Sequence, residues 1–331
     1  MMRRPQAETS GRLGFIGAPL LGVALLVLPW VGTGYLTRFT TNLLMFMVLA
    51  QAWNLIGGLA GYPSFGNVAF FGIGAYTTGI LMAKAGLSFF PSLALAALAG
   101  ALAAVAIGFP VLRLRGHYFA VATFAAAEAM REIVNNLTGL TGGGMGLSLP
   151  LMAGGARAIG FYFYYLMFGL FLAALGVNAV ITRSRLGYGL LAIREDEEAA
   201  MVAGIDTTRY KVIAFALSAT LTALAGGIYA YWITYIEPAN VFDVLIGVTM
   251  LVMVLLGGSG TLWGPPVGAV VLIVLTELVW ARFLELHAAI LGAVIILVVI
   301  FLPDGLVEMV RQGRKVLRPA NLLQNIRRYG V

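Results

Sequence analysis

Residues 89–112 read FFPSLALAALAGALAAVAIGFPVL, a run without a single charged side chain. About 20 such residues cross the hydrocarbon of a bilayer as a helix. Nine comparable runs flank it, at 13–34, 39–56, 67–83, 117–134, 158–181, 212–236, 243–258, 263–281 and 286–302. The expectation is an all-α polytopic membrane protein of about ten transmembrane helices, or eight or nine if one segment is re-entrant. Two runs are irregular. Residues 243–258 are short for a full span and read as tilted or broken. The run at 67–83 follows Gly57-Gly58-Leu59-Ala60-Gly61-Tyr62-Pro63-Ser64-Phe65-Gly66, a candidate re-entrant stretch.

Composition agrees. Of 331 residues, 60% are apolar and 11% charged, with mean hydropathy +0.94. An average soluble domain is about 45–50% apolar and about 25% charged. A soluble globular domain is therefore excluded, and a disordered chain still more firmly. Ten spans use roughly 200 residues, which leaves no room for a separate soluble catalytic domain. Cysteine is absent, so disulfides, thiolate metal sites and a Cys nucleophile are excluded. His117 and His287 stand too far apart in sequence to suggest a metal cluster.

The net charge of +7 resides mostly between the apolar runs, as membrane topology requires, and does not point to nucleic acid. Met1–Arg12 carries three arginines ahead of Leu13–Val31. That resembles a signal peptide, but the apolar run is long and lacks a small-x-small cleavage site. It reads as a first transmembrane helix with a cytosolic N-terminus. Threading ten spans then puts 1–12, 113–116, 182–211 and 303–331 inside, with 16 of the 21 Lys and Arg. Both termini are expected in the cytosol. The expected organisation is a cytosolic segment 1–12, a transmembrane domain 13–302 with an outer loop 135–157 and an inner loop 182–211, and a basic tail 303–331.

Four clusters stand out. In the inner loop, Arg194-Glu195-Asp196-Glu197-Glu198-Ala199-Ala200-Met201-Val202-Ala203 has helix formers with acids near the beginning, where the helix dipole favours them. Gly204 is its expected stop. Such a helix suits docking to a partner; the alternative is a solvated connection. In the Gly-rich stretch 57–79, Ser64, Asn67, Tyr76 and Thr77 serve either tight helix packing or a substrate path. Glu128, Arg131 and Glu132 share one helix face, either as a self-satisfied cluster or as a polar contact on the path or with a partner. Glu277 is expected to snorkel or pair with Arg282 near the outer face. The outer Gly/Thr loop, with Thr141, Gly142 and Gly143, is either flexible or a docking surface. A faint echo links Leu55-Ile56-Gly57-Gly58 to Leu255-Leu256-Gly257-Gly258, each leading through a proline into another span.

The order of these segments resembles the permeases of branched-chain amino acid ABC importers, the LivM-type subunit in particular. The resemblance rests on Ser64–Tyr76, Leu112–Ala120, Leu137–Gly143, the inner loop and Leu256–Pro265. Glu198-Ala199-Ala200-x-x-x-Gly204 matches the start of the EAA loop of such permeases. The Leu-Pro that closes that pattern is missing, and Ala214-Phe215-Ala216-Leu217-Ser218 stands there instead.

The resemblance implies a coupling helix around Arg194, Glu195, Glu198, Ala199, Ala200 and Gly204. It implies a second, homologous permease, two cytosolic ABC ATPases and a periplasmic binding protein, in a bacterial inner membrane. No Gly-Lys pair occurs in the chain, so it has no P-loop. No cofactor is expected on this chain; ATP and Mg belong to the partner subunits. Related importers of urea or short amides remain an alternative. So does an ion-coupled secondary transporter relying on Glu128. A membrane enzyme finds no suitable carboxylate or His cluster.

Overall fold

The computed structural model describes residues 25–280, 292 and 305–307. The expected segment 1–12, the first half of the first span, the span at 286–302 except residue 292, the tail 303–331 except residues 305–307, and thus both termini, lie outside the described residues.

After helical residues 25–31, the helices are α1 (Gly34–Trp53), α2 (Asn67–Ala83), α3 (Phe89–Val111), α4 (Gly116–Asn136), α5 (Ala156–Thr182), α6 (Arg185–Glu195), α7 (Glu197–Val202), α8 (Thr207–Ile233), α9 (Val244–Gly257) and α10 (Gly264–Trp280). A π-helical turn, Asn54–Leu59, extends α1. Among the described residues, five helical stretches are long and apolar enough to cross a membrane, at 34–59, 89–111, 156–182, 207–233 and 238–257; 67–83 and 264–278 are shorter. Helix α4 has the length but not the composition, since Glu128, Arg131 and Glu132 fall within it. The eighth run is a continuous helix, α9, rather than a broken one; a helical turn, Pro238–Val241, precedes it and lengthens the apolar stretch to 20 residues, and the Asp243 carboxylate caps α9 by accepting from the Leu245 amide at 2.9 Å.

The bundle is built inside out relative to a soluble protein. Helix α3 buries Ser92, Ala96, Gly100, Ala104 and Gly108, one small residue per turn, and exposes Leu95, Leu98, Leu102 and Val105. Lipid solvates leucine as well as protein does, so the gain lies in close backbone approach on the small face. Helix α8 is the centre, packed against α1, α2, α3 and α5. Its Gly226 lies against the backbone of Phe71, and Gly74 of α2 lies against Ala223. A Cβ at either glycine would collide with a carbonyl oxygen.

The connections gather at two ends. Residues 58–62, 112–115, 183–206 and 258–261 are hydrogen-bonded or ion-paired together at one, called here the inner end after its charge. At the other, Lys84 Nζ donates to the Gly139 carbonyl at 2.6 Å, and a two-residue antiparallel ladder pairs Leu147 with Ile236 and Ser148 with Tyr235. This small ladder is an addition to the expected all-α fold.

The packing predicts that Gly226→Leu disrupts the α2–α8 seam, where overpacking costs at least about 1–3 kcal/mol. Gly176→Ala on α5 has open space around it and should leave the fold intact. Thermal unfolding of the detergent-purified variants separates the two.

Candidate functional site at the inner end

The inner loop folds into two helices where one was expected. Asp196 is extended (φ −159°, ψ 109°), and its side chain accepts from the amides of Glu198 and Ala199 at 2.9 and 3.1 Å. An aspartate satisfies the start of a new helix better than it continues an old one. Arg194 and Glu195 therefore close α6, while Glu198, Ala199 and Ala200 belong to α7. Helix α7 ends at Gly204 (φ +86°), where Gly204 and Ile205 amides donate back to Met201 and Ala200 carbonyls at 3.0 Å. This is a Schellman stop, which glycine adopts without a Cβ penalty.

Two fastenings hold the pair. Arg194 donates to the Gly58 carbonyl at 2.7 Å and to Ser259 Oγ at 3.3 Å. It thus ties both Gly-Gly breaks at once, and the breaks also touch each other. Asn54 accepts from the Gly260 amide at 2.8 Å and donates to the Thr261 carbonyl at 3.1 Å. Gln51 donates to the Leu262 carbonyl at 2.8 Å, and Asn178 donates to the Gln51 carbonyl at 3.0 Å. The echo in sequence is a contact in space.

The second fastening is ionic. Lys211, in the second turn of α8, is only 3% exposed. Its ammonium donates to Glu197 at 2.6 Å, the Leu112 carbonyl at 2.9 Å and Tyr62 OH at 3.1 Å. Tyr62 OH donates to Glu197, and Arg115 pairs with Glu197 at 3.4 Å and with Glu198 at 2.8 Å. Burial alone would push the Glu197 carboxyl up, but hydrogen bonds from Lys211 and Tyr62, with the Lys211 charge, outweigh it and hold the group below its usual range. Burial first, then the bond to Glu197, pushes the Tyr62 phenol up. Sequence reading passed over Lys211, Tyr62 and Glu197. The available signal was a lone lysine at the edge of an apolar run, which demands an acid, beside the acidic run 195–198.

The other expected residues are dispersed. Ser64 is buried, and its carbonyl accepts from Trp53 at 2.7 Å. Asn67 donates to Ser218 Oγ at 2.8 Å. Ser218 is the twelfth residue of α8, about 17 Å along it at 1.5 Å per residue. Segment 60–66 thus runs back from the inner end to the start of α2 at depth, as non-helical backbone enclosed by protein. Tyr76 is buried against Phe242 and Thr77 is half-buried. Asn67 Oδ1 and Tyr76 OH have no partner among the described residues. Glu128 is partly exposed and bound to Arg131 at 3.0 Å, and Arg131 reaches Glu132 at 3.8 Å. Glu277 accepts from Tyr35.

The outer Gly/Thr loop is a tight turn. Thr141 and Gly143 are buried, Thr141 Oγ1 donates to the Val134 carbonyl at 2.6 Å, and Gly142, Gly143 and Gly146 all have positive φ. Its exposed large apolar side chains are Leu137, Leu140, Met145 and Leu151.

Several apolar helices with leucine outward and a charged loop rooted at one end define a multi-pass membrane protein. The chain belongs to the branched-chain amino acid transport system permease component family, whose description matches residues 35–299. It is 33% identical over 302 residues to the high-affinity branched-chain amino acid transport system permease protein LivM of Salmonella typhimurium, covering 83% of this chain and 71% of that protein. LivM of Escherichia coli is 32% identical over 324 residues, 89% of this chain and 76% of that one. The corresponding LivH of Escherichia coli is 24% identical over 282 residues, 79% and 90% of the two chains. No solved structure matches the chain.

Removing the lysine leaves Glu197 with only Tyr62 and the half-exposed Arg115, a loss that approaches the ~3–5 kcal/mol of a wholly unpaired buried charge. Lys211→Met should therefore lower the unfolding temperature markedly, and adding Glu197→Gln should restore part of it. The pH dependence follows in sign. With its carboxyl held below the ordinary 4.5, Glu197 stabilises fully above about pH 4.5 and loses that contribution as pH falls through the lowered value. Acid titration of thermal stability should lose this component in Glu197→Gln.

Proposed function

We propose that this chain is one permease subunit of an ABC importer for branched-chain amino acids, in a bacterial inner membrane. The observation that carries the reading is the tip of the inner loop. Val202 is 90% exposed, Met201 is 44% exposed, and Ala199 and Ala203 flank them. An apolar tip on a helix rooted by a buried ion pair fits a groove on a cytosolic ATPase. Force enters there and reaches Gly58 and Ser259 through Arg194, and Leu112 through Lys211. Arg194, Glu195, Glu198, Ala199, Ala200 and Gly204 form the coupling element, with Ala200 buried beneath the exposed face.

In this reading the chain performs no covalent chemistry. ATP and Mg are held by two ATPase subunits, and a periplasmic protein delivers the amino acid. Similarity to both a LivM and a LivH supports pairing with a second, homologous permease. The partly exposed charged face of α4, with Glu128, completes the path against that partner. Ser64, Asn67, Tyr76 and Thr77 line it from α2 and the break before it, and the unpartnered Asn67 Oδ1 and Tyr76 OH supply polar contacts when the helices part. The outer loop around Thr141, Gly142 and Gly143 is a shaped platform for the binding protein, touching it through its exposed neighbours. The ion pair at Glu128 argues against a free acid for ion coupling.

Val202→Asp tests the reading. An exposed substitution of this kind changes stability by about 0.5 kcal/mol or less. ATP-driven leucine uptake in proteoliposomes should fall at least about tenfold, since a buried unpaired charge at an interface costs several kcal/mol. Uptake unchanged by Val202→Asp, or leucine transport by the chain alone without ATP, refutes it. In the same assay, Arg194→Ala should retain ATP hydrolysis by the complex and lose uptake.

A further inference from the structure

We propose a binding site for the phosphate-bearing headgroup of an acidic phospholipid at the outer end of the bundle. A cavity of about 810 Å³ opens there between the turn before α1, the first turns of α1 and α5, and the end of α8. Among the described residues, two guanidiniums line it, Arg38 and Arg157, and no acidic side chain does. Each lies over an aromatic ring, Arg38 5.9 Å from the Trp232 centroid and Arg157 5.4 Å from that of Phe161. Arg157 also donates to the Trp30 carbonyl at 3.3 Å. Among the described residues neither arginine has an acid within ion-pair distance, and Glu277 of α10 is engaged by Tyr35.

Two cations held over rings, with donors left over, form a receptor for a phosphate. The rim decides between a lipid and a soluble anion. Trp30, Val31 and Tyr35 are strongly exposed beside the cavity, and Leu26 and Val27 continue the apolar surface down the same segment. An anionic head beside a continuous apolar wall has the profile of an amphiphile. Trp30 is itself held in place, donating from its indole to Tyr165 OH at 2.9 Å and meeting Phe161 edge-on at 5.2 Å. Interfacial tryptophan and tyrosine mark the headgroup level of a membrane. The site is independent of the transport reading: it needs only the fold and the bilayer.

The test uses the full chain, with whatever partners accompany it, in nanodiscs containing phosphatidylglycerol and phosphatidylcholine. Native mass spectrometry counts the lipids retained. Wild type should keep phosphatidylglycerol preferentially, with about a fivefold loss for Arg38→Gln or Arg157→Gln and about 25-fold for both, one surface cation at a time. The Arg38→Lys, Arg157→Lys pair should keep most of the preference. Equal retention of the two lipids overturns the proposal, as does undiminished retention in the double Gln variant. Displacement by inorganic phosphate alone assigns the site to a soluble anion and also overturns it. Should the double Gln variant fail to assemble, salt titration of wild type decides: retention that falls with ionic strength supports the site, and salt-independent retention refutes it.

Discussion

A helix that ends enclosed by protein leaves amides and carbonyls that no water can satisfy. Two helices end side by side at the inner end, just past Gly57-Gly58 and at Gly257-Gly258, and most of the inner architecture answers that constraint. The breaks are laid side by side, so that Asn54 serves Gly260 and Thr261, Gln51 serves Leu262, and Arg194 reaches Gly58 and Ser259 together. Asn178 of α5 holds the carbonyl of Gln51. Polar side chains inside an apolar bundle are costly, and these are spent on backbone that the breaks left bare.

The ionic cluster applies the same economy nearer the surface. Lys211, Glu197, Tyr62 and Arg115 come from four different segments and close on one another with few free valences. A buried pair of this kind adds little net stability over an apolar substitute but fixes one arrangement against others. Fixing the arrangement is what the proposed coupling role of this loop requires. The α2–α8 seam plays the complementary part: backbones in contact at Gly74 and Gly226 leave no slack through which movement could dissipate.

Much of this was visible in the chain. The runs at 67–83, 89–112 and 117–134 match helices Asn67–Ala83, Phe89–Val111 and Gly116–Asn136 to within a few residues, because apolar runs between charges are a direct consequence of bilayer thickness. The stop at Gly204 was visible for a similarly local reason. What escaped was pairing across distance. Lys211 and Tyr62 are 149 residues apart, and although a lone lysine at the edge of an apolar run calls for an acid, nothing local says which acid or that a tyrosine joins it. The single helix expected through Asp196 failed because helix propensity summed over a window is blind to one side chain that can cap. The loop at Thr141 looked flexible because glycine in sequence signals freedom, whereas at Gly142 and Gly143 it meets positive φ in a closed turn.

The extended residue Asp196 has a mechanical meaning. Helix α6 is pinned through Arg194 to the ends of two broken spans, and helix α7 through Glu197 to the foot of α8 and the end of α3. Under the proposed coupling role, a load applied at Val202 would meet a knuckle with separate footings on either side, one on α1 and α9 and the other on α8 and α3, and one stroke would turn the two pairs by different amounts, with the six-residue helix α7 as the lever.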